Sequence, residues 1–123
     1  VAFRFSKRHR LLKRAAFLHV QRAGRKLHAK HFIVVVLRRM GQGNAEDEHN
    51  VGRVGITVSK KVGIAVKRNR IKRLVREFVR LNPTWAPGGC DVVVIAKRSA
   101  ATVTGLAEVV ADLRPLETRL AQC

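Results

Sequence analysis

Arg68, Asn69, Arg70, Lys72 and Arg73 place four cations and an amide within six residues, and Lys60 to Arg80 holds nine Lys or Arg against one acid, Glu77. Arginine dominates the cluster, and its planar guanidinium suits bidentate contacts with phosphates and guanine edges. Like charges recur at helical spacing, with Lys72 beside Arg76 and Arg76 beside Arg80. Solvated helix faces usually mix signs to gain i,i+4 pairs. A face of one sign implies an external anion, and polyphosphate is the usual candidate. The preceding Ser59-Lys60-Lys61-Val62-Gly63 adds two cations and a hydroxyl that can donate to a phosphate or a base edge. A second candidate joins Phe17, flanked by Lys13, Arg14 and Gln21, with the polar face of the Arg53 to Ser59 strand; taken alone, the ring suits packing on a neighbouring element as well as exposure. An exposed ring among cations stacks single-stranded bases, a contact worth about 1–3 kcal/mol.

Other chemistries lack their residues. Metal-dependent nucleases gather three or four carboxylates around divalent ions. Here the acids are scattered, and the only cluster, Glu46-Asp47-Glu48, lies in a glycine-containing stretch read as a flexible loop. His28 and His31 form an H-x-x-H without nearby thiols or carboxylates, which reads as a surface or RNA-facing pair rather than a metal site. Nothing in the spacing of His19, His28 and His31 pairs them for acid–base work. Gly41-Gln42-Gly43 and Gly88-Gly89 lack the lysine and helix of a phosphate loop. Cys90 and Cys123 make neither a disulfide framework nor zinc spacing; Cys90 reads as small and at least half-buried, Cys123 as a mobile end. No catalytic side chain and no protein-bound metal are expected.

The elements that must carry these residues follow from periodicity. Residues 1–10 read as a basic arm with Phe3 and Phe5. A helix follows from Leu11, gathering Leu12, Ala15, Ala16, Val20 and Ala23 on one side, with Phe17 off that side and Gly24 as its terminator. His31 to Leu37 reads as a strand apolar on both faces, hence central. Residues 41–50 form the acidic loop. From Arg53 to Ser59, Val54, Ile56 and Val58 point one way and Arg53, Thr57 and Ser59 the other. The basic helix runs from Ala65 to Leu81, anchored by Ile71, Leu74, Val75 and Phe78 and halted by Asn82-Pro83. Asp91 to Ala96 is a buried strand, and a last helix starting near Thr104 carries Leu106, Val109, Val110 and Leu113 until Pro115 kinks or ends it. The order α-β-β-α-β-α makes one α+β domain over residues 1–123, a small sheet packed with helices.

A chain of 123 residues that is 46% hydrophobic supports one real core, and 26 Lys or Arg against 8 acids make it strongly basic. Residues 1–45 contain no carboxylate. Such asymmetry attracts nucleic acid or anionic lipid. The longest apolar run, Phe32 to Leu37, is too short to span a bilayer, and cations at Arg4, Lys7, Arg8 and Arg10 interrupt any signal-peptide core. The expectation is a cytoplasmic RNA or DNA binder with no membrane partner.

Gly55-Ile56-Thr57-Val58-Ser59-Lys60-Lys61-Val62-Gly63, then Ala65-Val66 and Arg68-Asn69-Arg70-Ile71-Lys72-Arg73-Leu74, closely resembles the protein subunit of bacterial ribonuclease P. Arg10-Leu11-Leu12 with Phe17 is similar to that family's first helix, and Asp91-Val92-Val93-Val94-Ile95-Ala96 to its last strand. The resemblance implies a ribosomal protein S5 domain 2-like fold with a left-handed β-α-β crossover, against the usual preference. It also implies an accessory subunit of a ribonucleoprotein endoribonuclease. A large catalytic RNA, using Mg²⁺ held mainly by itself, hydrolyses the 5′ leader from precursor tRNA, and no protein partner is required. By position, Arg68, Asn69, Arg70, Lys72, Arg73 and Arg76 would face the catalytic RNA and nearby phosphates, while Phe17, Ser59, Lys60 and Lys61 would line a leader cleft. The family often has a second aromatic where this chain has Gln21, which implies one stacking platform instead of two.

Two rival readings share parts of this pattern: a ribosomal or nucleoid-type basic RNA-binding protein without a role in cleavage, and an autonomous metal-independent ribonuclease using His19 or His28.

Overall fold

The computed structural model describes residues 10–11, 13–39 and 52–122. The expected basic arm (all but Arg10), Leu12, the acidic loop at 41–50 and Cys123 lie outside the described residues. Among the described residues four α-helices and four strands are formed: α1 Arg14–Ala23, β1 Arg25–His28, β2 Phe32–Arg38, β3 Arg53–Thr57, α2 Ala65–Leu81, β4 Cys90–Ala96, α3 Leu106–Leu113 and α4 Glu117–Ala121. The sheet order is β1-β2-β4-β3. β2 pairs antiparallel with β1 and β4, and β3 runs parallel to β4. Because parallel neighbours cannot be joined by a hairpin, α2 serves as the crossover between β3 and β4.

The expected element order is present, with β1 added. Its sequence, Arg25-Lys26-Leu27-His28, has one apolar residue and gave no strand signal. Pairing with β2 buries Leu27 opposite Val34 and closes a hairpin in which Ala29 N–H donates to the Phe32 carbonyl at 2.8 Å. β2 and β4, valine-rich and apolar in unbroken runs, occupy the centre and are covered on both faces, as their two-sided patterns require.

One face carries Leu27, Phe32, Val34, Val36, Val54, Val92 and Val94 against Ile71, Val75, Phe78 and Val79 of α2 and Val109 and Leu113 of α3. Trp85, in the Pro/Gly-rich connection after α2, is fully buried here. Its indole N–H donates to the Leu113 carbonyl at 2.7 Å, and its ring meets Phe78 edge-on at 5.3 Å between centroids. Pro115 ends α3, and a tight 3₁₀ turn over Arg114–Leu116 leads into α4.

The other face, Ile33, Val35, Leu37, Val93 and Ile95, packs against Leu11, Ala16, Phe17 and Val20. Here the structure corrects the expected stripe of α1. Ala15 and Ala23 are exposed, while Ala16, Phe17 and Val20 turn inward, rotating the buried side toward Phe17. Gly24 ends α1 as expected, but with φ −79°, ψ 162° rather than in the left-handed region. Its need is spatial: a Cβ would lie 2.6 Å from the Val20 carbonyl oxygen and 2.6 Å from Val35 Cγ1.

His31 is also reassigned. Expected at the surface, it is 8% exposed; its ring Nδ1 lies 3.0 Å from Ser99 Oγ, and its backbone N–H donates to Asp112 at 2.7 Å. His28 is exposed, so the two histidines do not act as a pair.

Candidate nucleic-acid interface

The site grows from an edge. β3 is the last strand of the sheet, and its outer side meets the incoming chain, where Leu11 N–H donates to the Val54 carbonyl at 3.0 Å and Arg10 bridges Val54 in parallel. This seats Arg10 and Leu11 between α1 and α2. Over the adjacent Gly55 lies the Phe17 ring: a Cβ on that glycine would stand 2.5 Å from Phe17 Cζ and 2.6 Å from Cε1. The missing side chain makes the notch that lets the ring settle on the sheet. Phe17 is half-buried, fixed on one side and open on the other.

The open side lines two hollows on this edge that share Phe17 and Ile56. A cleft of about 330 Å³ is bounded by Arg14, Phe17, Leu18, Gln21, Ile56 and Thr57. A smaller one, about 120 Å³, brings Arg76 of α2 and Arg10 to Phe17, Gly55 and Ile56. The walls carry three arginines and no carboxylate. Gln21 shares the Phe17 side of α1, as its i,i+4 spacing predicts, and takes part in the larger cleft.

The expected site residues divide by place. Phe17 forms the platform. Ser59, Lys60 and Lys61 are exposed in the turn just beyond β3, closed by Val62 N–H donating to the Ser59 carbonyl at 3.0 Å. On α2, Asn69, Arg70 and Arg73 share the outward stripe, opposite buried Ile71, Val75 and Phe78. Arg70 reaches sideways to donate to the Thr104 carbonyl. Arg68 folds back, its Nε donating to the Gly63 carbonyl at 3.1 Å and staying half-buried. Lys72 is half-buried on the other flank, where Arg76 turns toward Phe17. Arg76, expected to face a large RNA partner, thus belongs to the cleft wall.

Two expected cations are engaged within the fold. Arg53, read as part of the polar face beside Phe17, binds both oxygens of Asp91 at 2.8 and 2.9 Å, with Arg39 adding a contact to Asp91 at 2.6 Å. Arg80, read as one of a stack of like charges, pairs with Glu77 at 2.5 and 2.9 Å. That hydrogen bond holds the Glu77 carboxyl below its ordinary range and keeps Arg80 more firmly protonated. The net result is a basic stripe that ends at Arg76. Sequence reasoning set Arg14 beside Phe17 and Thr57 on the adjoining polar strand face, but left Arg10 out of the site. Thr57 alternates with Ile56, and Arg14 sits three residues from Phe17, so both had a local signal. Arg10 had none, because its place depends on pairing with Val54, far along the chain.

Comparisons with known proteins agree on one family. The family model described as Ribonuclease P matches residues 5–120. The chain is 43% identical over 102 residues to the ribonuclease P protein component of Desulforapulum autotrophicum, covering 83% of this chain and 80% of that one. It is 40% identical over 113 residues to that of Syntrophus aciditrophicus, covering 92% and 87%. Among solved structures, the RNase P protein from Thermotoga maritima superposes with a TM-score of 0.73 at 31% identity, over 89% of this chain and 96% of the other. The Staphylococcus aureus RNase P protein gives 0.75 at 29% identity, over 93% and 95%.

Proposed function

The chain belongs to the ribonuclease P protein family, and on that premise we propose that it binds the enzyme's RNA through α2 and holds the precursor tRNA 5′ leader in the α1–β3 cleft. It is the protein component of an endoribonuclease. The hydrolysis is carried out by the RNA with Mg²⁺ that the RNA itself mainly holds, while the protein's side chains bind and orient.

The observation that carries the reading is the Phe17 ring seated on Gly55, one face fixed and the other open to a cleft walled by Arg10, Arg14 and Arg76. An extended single strand offers bases to an aromatic plane and phosphates to cations at its sides. A duplex, with its bases stacked inside, makes no use of the ring. The outward stripe of α2, with Asn69 and Arg73 at its centre and Lys60 and Lys61 at its head, suits a folded RNA whose phosphates lie along a groove. Among the described residues, Glu77 is engaged by Arg80, Asp91 by Arg39 and Arg53, and Glu108 by Thr104, which leaves the cleft's cations for an external anion.

Purified protein added to precursor tRNA at low Mg²⁺, with and without the catalytic RNA, tests this. Stimulated 5′ cleavage only when the RNA is present is the expected outcome. Cleavage by the protein alone would make it a nuclease in its own right. No effect in either arm would reduce it to a general basic RNA binder.

A further inference from the structure

Ile64 and Val66 are 75% and 76% exposed, well beyond the other large exposed hydrophobics of the described residues, Leu18 at 37% and Leu81 at 52%. A single exposed aliphatic needs no explanation. Two on one rigid feature, flanked by cations, do call for one. The feature is rigid because Val62 is plugged into the core, Arg68 N–H donates to the Ile64 carbonyl at 3.0 Å, and Arg68 Nε holds the Gly63 carbonyl. Ile64 is therefore presented by a backbone pinned on both sides and cannot swing inward. Val66, one turn from Asn69 and Arg70, is the apolar member of the outward stripe of α2. Lys60, Lys61, Lys67, Arg68 and Arg70 flank the pair along the chain, Arg68 turned back to Gly63 and Arg70 toward Thr104, and no carboxylate occurs between Ser59 and Arg76.

We propose that Ile64 and Val66 form an apolar knuckle that packs against an unpaired, unstacked nucleobase of the RNA bound by α2. The inference rests on the reading that α2 faces RNA, and it adds what kind of RNA feature the helix selects. The flanking cations require a polyanion, while the apolar centre gains nothing from phosphate. A base turned out of the stack supplies both: an apolar face and flanking phosphates within reach of the cations. Apolar wedges of this kind recur where proteins hold unstacked bases. An anionic membrane would satisfy the same charge pattern, but two aliphatic side chains are far less than the continuous apolar face that membrane-surface helices bury.

Ile64→Ser, Val66→Ser and the double variant, made in the full chain, test this against the catalytic RNA over a range of salt, with Arg73→Ala alongside. Because both side chains are exposed, thermal unfolding should match the parent. The double variant should weaken binding about tenfold at every salt concentration, since apolar contact releases no counterions. Ile64→Leu with Val66→Ile should restore the parent affinity. Chemical probing should find an unpaired base that the parent protects and the double serine variant leaves reactive. Parent-like RNA affinity in the double serine variant would overturn the proposal, and so would a changed salt slope. Loss of binding to vesicles of anionic phospholipid, with RNA binding intact, would assign the knuckle to a membrane instead. If Arg73→Ala changes neither RNA affinity nor slope, α2 does not face the RNA, and both the premise and the knuckle fall.

Discussion

Phe17 does two jobs with one ring, and Gly55 is what allows both. The ring's inner side closes the smaller core with Leu11, Val20, Val35 and Val93, while its outer side lines the cleft. Truncating it removes the stacking plane. Phe17→Ala should lower affinity for leader-bearing precursor by about 1–3 kcal/mol while sparing mature tRNA. Equal losses for the two RNAs in a filter-binding titration would remove the leader from the cleft. Gly55→Val should produce a similar precursor-specific loss with Phe17 intact, because the new side chain occupies the ring's seat; unfolding curves would separate this from general destabilisation. Gln21 lines the cleft beside Phe17, which is the aromatic among its described lining residues.

At the scale of elements, α2 is a helix with two constituencies. Ile71, Val75, Phe78 and Val79 fix it to the sheet, and the charged residues left over are cations but for Glu77. Among the described residues its one ion pair, Glu77 with Arg80, lies toward the last turn, so the charge that faces outward is concentrated in the first three. Arg73→Ala and Arg76→Ala should each flatten the dependence of log Kd on log salt by about one unit for the RNA that each contacts. Arg73 should act on the catalytic RNA, and Arg76 should act more on the precursor. An unchanged slope would strike either residue from the phosphate contacts. α3 is held differently. Thr104 donates to Glu108 from its hydroxyl at 2.5 Å and from its backbone N–H at 2.9 Å, which holds the Glu108 carboxyl below its ordinary range. A carboxyl with a lowered folded-state pKa stabilises above its unfolded-state value, and that contribution fades as pH falls through the folded value. Glu108→Gln should therefore lower Tm at neutral pH and narrow the gap to the parent under acid, read by thermal denaturation across pH.

For the whole molecule, the sheet divides two packed layers. One face carries the large core with α2, α3 and α4, and the other carries α1 and the small core beside the cleft. Trp85 joins α2 to the end of α3 through Phe78 and the Leu113 carbonyl. Trp85→Ala should cost about 3–5 kcal/mol in urea unfolding, since a fully buried ring and its hydrogen bond are lost together. Under conditions where the variant remains folded, precursor affinity should stay near the parent value, because the ring lies across the sheet from the cleft. A selective loss of leader binding in folded protein would contradict that separation.

The sequence by itself determined the elements whose apolar period is long and regular. α2 runs from Ala65 to Leu81 as its spacing and Asn82-Pro83 dictate, and β2 and β4 are central as two-sided apolar runs must be. It also determined the class of partner, because a helix that anchors one face and charges the other with a single sign leaves few alternatives. Only the tertiary structure decided which side of α1 is buried, since alanine fits either side and the notch at Gly55 draws Phe17 inward. It alone made β1 a strand, buried His31, drew Arg53 onto Asp91 and carried Arg76 to Phe17. All but β1, which pairs with the next strand in a hairpin, depend on a partner distant in the chain. Periodicity reports what a residue prefers locally, whereas a cleft is made by which surfaces meet.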